Sequence, residues 1–298
     1  MKNLQKWIIA AILLSPVLLG IILLLHKGDG TAGRSFSGTM PFKRIGLVEI
    51  RGTIIEGEEY IRQLQALRLD NSIAGVILRI DSPGGAVAPS QEIYAEVMRF
   101  RTDRKPLVVS MSSVAASGGY YIASPASKIF ADPGTLTGSI GVIFTLPQYE
   151  ELTKKIGIEF RVFKAGALKD LGSPYRAMTE QEKKFIDKLL RDTHEQFIAD
   201  VAKGRGMSPD SLARYADGRV FTGKQAYEVK LVDTLGGYED ALDWLRLRTG
   251  LSRSAKVVRK MPTSSRFRDW LGEESSKLFP FLHQMRNPAG LYYLMSVK

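Results

Sequence analysis

An α/β fold with a largely parallel sheet is predicted by two features of this sequence. Continuous apolar runs at 74–80 (AGVILRI) and 106–112 (PLVVSMS) fit strands that are covered on both faces. Stretches of helical spacing alternate with such runs, and that alternation calls for helical crossovers and parallel pairing.

The elements follow in order. Residues 45–50 (IGLVEI) read as the first strand, and a helix with an acidic start follows over about 57–69. The turn 81–85 (DSPGG) leads from the second strand into a helix over 89–102. After the strand 106–112 a short helix begins near Ser117. Strands near 128–131 and 159–164 flank a helix near 147–156. The longest helix spans 179–204, with Thr179 as its cap, and further helices lie near 208–215, 222–229 and 238–248. No sharp linker interrupts 40–250, so the chain divides into 1–34, a body over 35–250 and a tail over 251–298.

The first segment holds a nineteen-residue stretch without charge, 7–25 (WIIAAILLSPVLLGIILLL). As a helix it is about 28 Å long, close to the hydrocarbon thickness of a bilayer. Lys2 and Lys6 before it predict a cytoplasmic N-terminus and an extracytoplasmic body. The run is long for a cleaved signal peptide, which favours a retained anchor. Residues 28–38, rich in Gly and Ser, read as a tether.

The net charge of +11 is carried by the ends: +3 over 1–34 and +6 over 251–298, against +2 for the body. A basic groove for nucleic acid would charge the body itself, so no nucleic-acid partner is expected. Basic ends fit attraction to anionic lipid or a solvated tail. From 264 onward, Phe267, Trp270, Leu271, Leu278, Leu282 and Met285 recur near helical spacing, which suits a membrane surface or packing on the body or a neighbour. The chain has no cysteine, which excludes disulfides, thiolate metal sites and a cysteine nucleophile. No metal-ligand spacing and no phosphate-binding loop is present, and no cofactor is expected.

Two glycine-rich turns follow adjacent buried strands: 82–85 (SPGG) and 117–119 (SGG). Glycine lets backbone N–H groups converge on a bound oxygen, and ligands of parallel sheets collect beyond the C-terminal strand ends. The N–H groups of the first turn and of Gly118 therefore suit an oxyanion hole beside Ser117. A serine needs a base to act as nucleophile. The three histidines, His26, His194 and His283, lie in no catalytic setting, and His194 reads as a core residue of its helix. Lysine serves where its surroundings keep it neutral, and Lys169 is the candidate. Ser112, Ser113 and Ser124 lack a following Gly-Gly; Lys164 is expected to point away from the site, and Asp170 to act as a local cap or ion-pair partner.

Four motifs in this order, 81–85 (DSPGG), 116–121 (ASGGYY), 137–142 (TGSIGV) and 164–170 (KAGALKD), closely resemble the short form of the signal peptide peptidase A family. The likeness runs from about 45 to 248 and includes 218–223 (GRVFTG) and 231–233 (LVD). The resemblance implies a Clp protease/crotonase-like fold of repeated strand–strand–helix units behind a transmembrane helix. It implies Ser117 as nucleophile, Lys169 as general base, Ser139 holding Lys169, and Gly84 or Gly85 with Gly118 as oxyanion donors. Leu168, Ile140 and Val142 are candidates to line the site. It further implies cleaved signal peptides as substrates, a ring-like homo-oligomer and a single-pass place in a bacterial inner membrane. Two other readings share the fold: a crotonase-type acyl-CoA enzyme and a catalytically silent membrane scaffold.

Overall fold

The computed structural model describes residues 43–259 and 291–295. The anchor 7–25, the tether and the amphipathic stretch after 264 lie outside the described residues. Among the described residues no helix is long and apolar enough to cross a membrane.

An eight-stranded sheet forms the centre. Strands β1 (Arg44–Arg51), β2 (Ile73–Ser82) and β4 (Leu107–Ala116) pair in parallel, with β2 in the middle. Strand β4 then forks. Its first half pairs with β5 (Lys128–Ala131), which continues to β8 (Thr234–Leu235); its last residues pair with β6 (Leu136–Gly138). Strand β7 (Val220–Thr222) closes that side antiparallel to β6, and β9 (Val257–Arg259) adds to the other edge beside β1. This mixed sheet, mostly parallel, fits the Clp protease-like fold that the resemblance implies.

Both faces of the sheet are covered, as the continuous apolar runs predict. Val48 and Ile50, Val76 and Leu78, and Val109 and Met111 point into one core with helices α1 (Glu58–Leu69), α2 (Val87–Thr102), α3 (Gly118–Ala123) and α5 (Glu180–Arg205). Ile45, Leu47, Ile77 and Val108 point the other way, against Leu242 and Leu245 of α8 (Tyr238–Thr249). The alternation follows from the two-residue period of a strand. Thr179 caps α5 in a capping box with Glu182 and Gly206 ends it in the left-handed conformation, so both helix ends are fixed by local chemistry. The remaining helices, α4 (Glu150–Lys155), α6 (Pro209–Ala213) and α7 (Gly223–Glu228), fall where the sequence places them.

One expected strand is absent. Residues 159–164 form neither helix nor strand, although Phe160 and Val162 alternate with polar residues. Alternation makes a strand only where a neighbour supplies the ladder, and these side chains are exposed, Phe163 at 94 %. Conversely, a short strand β3 (Gly84–Ala86) forms within the first glycine turn, and β10 (Tyr292–Leu294) pairs with it antiparallel.

Candidate active site

Ser117 ends β4 and opens α3. Its backbone has φ 52° and ψ −115°, a conformation that costs a residue with a side chain of order 1–3 kcal/mol. Two bonds hold it there: its N–H donates to Gly138 O at 2.7 Å, and its carbonyl accepts from the Tyr121 N–H at 2.8 Å. The side chain is 1 % exposed and its Oγ has no hydrogen-bond partner. A buried hydroxyl left unpaired costs about another 1–3 kcal/mol. Strain and an orphaned hydroxyl on one residue mark a place shaped for something other than stability. The rival serines are otherwise engaged or open: Ser124 Oγ donates to Tyr121 O, Ser112 Oγ accepts from Arg79, and Ser113 is exposed.

Ser139 stands beside it. Ala116 and Gly138 are ladder partners on β4 and β6, so Ser117 and Ser139 both lie one step beyond the paired strand ends. Ser139 also has positive φ, 51°, is buried, and donates its N–H to Arg219 O at 2.8 Å. Among the described residues only Arg104, Ser117, Ser139 and Lys230 combine a side chain with positive φ.

The two glycine turns meet. A Cβ on Gly84 would lie 2.7 Å from the Gly118 nitrogen, and one on Gly118 would lie 3.1 Å from the Gly85 nitrogen. The Gly84 N–H is engaged, donating to Ser82 Oγ at 3.1 Å, and Gly85 lies opposite Tyr293 on the β3–β10 ladder. The carbonyl of Tyr293 lies against both turns, 2.1 Å from the Cβ position of Gly84 and 3.2 Å from that of Gly118. It is brought there by β10, whose pairing with β3 continues through Met295 N–H to Pro83 O at 2.8 Å. Tyr293 itself is fully buried between Phe197 and Tyr121, at ring distances of 4.3 and 5.2 Å. Burial, with a hydrogen bond to Asp200, pushes the Tyr121 hydroxyl well above its ordinary range and keeps it protonated.

Beyond Ser139 opens a cleft of about 460 Å³, lined by Ser139, Val142, Ile143, Leu190, His194 and Met295 among others. His194, read from the sequence as a core residue, is half-buried on this wall with Nε2 3.3 Å from Ile140 O. The helical period of its helix correctly places it on the inner side, but the 139–143 stretch stops short of covering it. Ile140 is buried beneath, and Val142 lines the cleft.

Lys169 is not brought to Ser117. It is exposed, in a stretch of turns, and its ammonium makes no hydrogen bond or ion pair among the described residues. The stretch around it is nonetheless anchored. Asp170 pairs with Lys164 and with Arg176, and Arg176 also pairs with Glu182 on α5. Arg176 first, then Lys164, holds Asp170 far below the usual carboxylate range. Arg176 and the Thr179 amide hold Glu182 down at about 2. Asp170 is thus the ion-pair partner that the sequence suggests, and Lys164 is turned to it. Leu168 is half-buried. On the same excursion Leu152, Ile156, Phe160, Val162 and Phe163 are exposed. Among the described residues no group of His, Cys, Asp and Glu is arranged to hold a metal ion.

Comparison with known proteins settles the family. The model of peptidase family S49 matches residues 99–252, which contain Ser117, Ser139 and Lys169. The chain belongs to peptidase family S49. A protein of Enterococcus faecium that carries the name signal peptide peptidase SppA is 38 % identical over 217 residues, 73 % of this chain and 63 % of that one. A Synechocystis protein named as a protease is 39 % identical over 211 residues, 70 % of this chain and 76 % of that one. Protease 4 of Salmonella typhi is 35 % identical over 207 residues, 66 % of this chain but 33 % of its own length. The chain spans under two thirds of the Enterococcus relative, about three quarters of the Synechocystis one and about a third of the Salmonella one. Gly118 lies inside the matched family segment, whereas Gly84, Gly85 and β10 lie outside it; β10 against the glycine turns is the feature that the sequence reading missed, and its one signal was the short apolar run 291–295 (LYYLM).

Proposed function

We propose that this protein is a membrane-anchored serine endopeptidase that cleaves extended apolar peptides, signal-peptide remnants among them. It works outside the cytoplasm of a bacterial cell, with residues 1–6 inside and 7–25 in the inner membrane. Ser117 Oγ attacks the scissile carbonyl while Lys169 takes its proton. The oxyanion is held by the N–H groups of Gly85 and Gly118. The proton passes to the leaving amine, an acyl-enzyme remains on Ser117, and water activated by the same lysine releases the acid. Ser139 positions Lys169.

The observation that carries this reading is the Ser117 hydroxyl: strained into place, buried, unpaired and beside two converging glycine turns. A peptide carbonyl already fits that spot, since the Tyr293 carbonyl lies there with β10 paired antiparallel to β3. An extended substrate paired on β3 would present its carbonyl in the same way. The cleft past Ser139, with Val142, Ile143, Leu190 and Met295 in its wall, suits a neighbouring side chain.

The dyad is completed on assembly. Exposed Lys169 lies on an excursion where Leu152, Ile156, Ile158, Phe160, Val162 and Phe163 are also exposed, a patch of the kind that marks an interface. A ring-like homo-oligomer covers it and carries Lys169 to the Ser117 of the next copy. The test is hydrolysis of fluorogenic apolar peptides by the detergent-solubilised full chain, with labelling of Ser117 by a fluorophosphonate. Ser117→Ala and Lys169→Ala each abolish turnover in a folded protein, and equal turnover by either variant defeats the reading. Acyl-CoA turnover without peptide cleavage would instead favour the crotonase-type enzyme.

A further inference from the structure

The parallel strands begin at the end of the body remote from Ser117, and a cleft of about 800 Å³ opens there. Ten-residue β4 runs between the two ends, so at roughly 3.3 Å per residue they lie about 30 Å apart. The cleft is walled by residues that precede β1, β4 and β5 and by the last turns of α2 and α8. Lys43, Arg101, Arg104, Lys105 and Arg248 line it, and no Asp or Glu does. Trp244 supplies an aromatic side.

Ordinary helix chemistry accounts for only part of this charge. Arg101 and Arg248 occupy last turns, where a cation is favoured by the helix dipole. Lys43 and Arg104 lie outside the helices. Arg104 has φ 55° just past the end of α2, a position that favours glycine, yet an arginine stands there. Elsewhere at this end the arginines have acids: Arg68 with Glu96 and Asp103, Arg99 with Glu96, Arg205 with Asp233, Arg246 with Asp243. In the cleft, Arg101 donates to the Gly204 carbonyl, and Lys105 donates to the carbonyls of Leu67, Arg68 and Asp70. The cluster is thus held together without acids among its lining residues, which is the condition for receiving an external anion.

Chain connectivity suggests which anion. Lys43 follows residues 26–42, which join the body to the apolar segment 7–25. Seventeen residues reach at most roughly 60 Å, so this end stays within reach of the bilayer surface. Leu247, 83 % exposed next to Arg248, and Leu69, 69 % exposed at the end of α1, add apolar side chains suited to a lipid interface.

The geometry points to this cleft as a binding surface for the headgroups of anionic phospholipids. The inference rests on the membrane-anchored reading above. Arg104, Arg248 and Lys43 receive the phosphodiester, and Trp244 and Leu247 meet the interfacial layer. Docked this way, the body holds Ser117 about 30 Å from the headgroups, so a peptide must be drawn clear of the bilayer to be cut.

The experiment uses the full chain in nanodiscs of phosphatidylcholine, with or without about 30 % phosphatidylglycerol, a fraction that gives the surface a strong negative potential. Hydrogen exchange is read at 99–106 and 244–249. Both stretches should be protected in anionic discs only, with protection lost at high salt. In Arg104→Gly/Arg248→Gln, with unchanged melting temperature, occupancy should fall about twentyfold, from roughly fivefold per cation near an anionic surface. Equal protection in neutral discs, or an unaffected double variant, overturns the proposal. So does inorganic phosphate that protects the same stretches in neutral discs, which would mark a site for soluble anions. Alkaline carbonate extraction reports separately on the anchor: release of the chain defeats the anchored reading, whereas the exchange data bear on the cleft alone.

Discussion

Gly84 and Gly118 close on each other, with the Cβ position of the first 2.7 Å from the nitrogen of the second. The contact exists because both turns leave the C-terminal ends of neighbouring parallel strands and neither carries a side chain. Gly84 has φ +103° and its Cβ position is 2.1 Å from Tyr293 O. Gly84→Ala should therefore destabilise by about 1–3 kcal/mol through strain and overlap, and should abolish peptide hydrolysis. Gly134→Ala meets nothing within 4 Å and should stay within about 0.5 kcal/mol of wild type. Thermal melting and a peptide assay decide; a Gly84→Ala protein as stable and active as wild type removes the turn from the site.

Ser139 is placed beside Ser117 by the β4–β6 ladder, and its positive φ is held by the bond to Arg219 O. Under the proposed function Ser139 positions Lys169, so it should matter less than Ser117 or Lys169. Ser139→Ala is expected to lower kcat by about 10–100-fold with little change in KM, since the loss falls on the reacting step. Ser139→Thr keeps the hydroxyl and should recover part of the rate. Wild-type kcat in Ser139→Ala defeats the assignment.

Completion of the dyad between copies makes a quantitative claim. Mixing Ser117→Ala with Lys169→Ala before assembly pairs an intact serine with an intact lysine at about a quarter of head-to-tail interfaces. The mixture should recover that share of wild-type activity, although neither variant alone is active. A mixture as dead as its parts shows that each copy uses its own lysine.

The clamp beneath Lys169 should open in acid. Asp170 and Glu182 titrate below their ordinary ranges because Arg176 lies against both. A depressed carboxylate stabilises the fold above its ordinary pKa, and that stability is lost as pH falls through the folded value. The window for Glu182 runs from about 4.5 down to about 2. Hydrogen exchange at 164–182 should quicken within it, before the buried strands open. Glu182→Gln retains a cap for α5 but should flatten the response; an unchanged acid profile in that variant assigns the clamp no role.

The central strands, the long helix and the glycine turns were legible because each rests on local chemistry. Apolar runs such as 74–80 must be buried, Thr179 and Glu182 form a capping box, and Gly84 takes a backbone angle that other residues avoid. Ser117 was legible from its motif, though its unpaired hydroxyl was not. The failures share one cause. The 159–164 stretch has the pattern of a strand but no ladder partner among the described residues, and β10 is three residues whose pairing with Gly84–Ala86 is set by tertiary contact. Short strands carry little periodicity, so an apolar run such as 291–295 does not by itself separate a strand from a turn of helix. The exposed position of Lys169, in a stretch of turns, likewise has no local signal in the sequence.

Strand β10 is paired along β3, the edge on which the proposed function places an extended substrate. Tyr293 fills the space between Phe197 and Tyr121, and its carbonyl lies against the two glycine turns. Under the proposed function, substrate and β10 compete for one place, so β10 must leave before a peptide enters. A chain ending at residue 290 should hydrolyse short apolar peptides with a higher kcat/KM. It should also melt at a lower temperature, because loss of a buried aromatic ring typically costs about 3–5 kcal/mol. A synthetic peptide of residues 290–295 should restore the melting temperature and inhibit the shortened enzyme competitively. If the shortened chain folds but no longer cleaves peptides, β10 is a wall of the site and not its occupant, and substrate must approach from the Ser139 cleft instead.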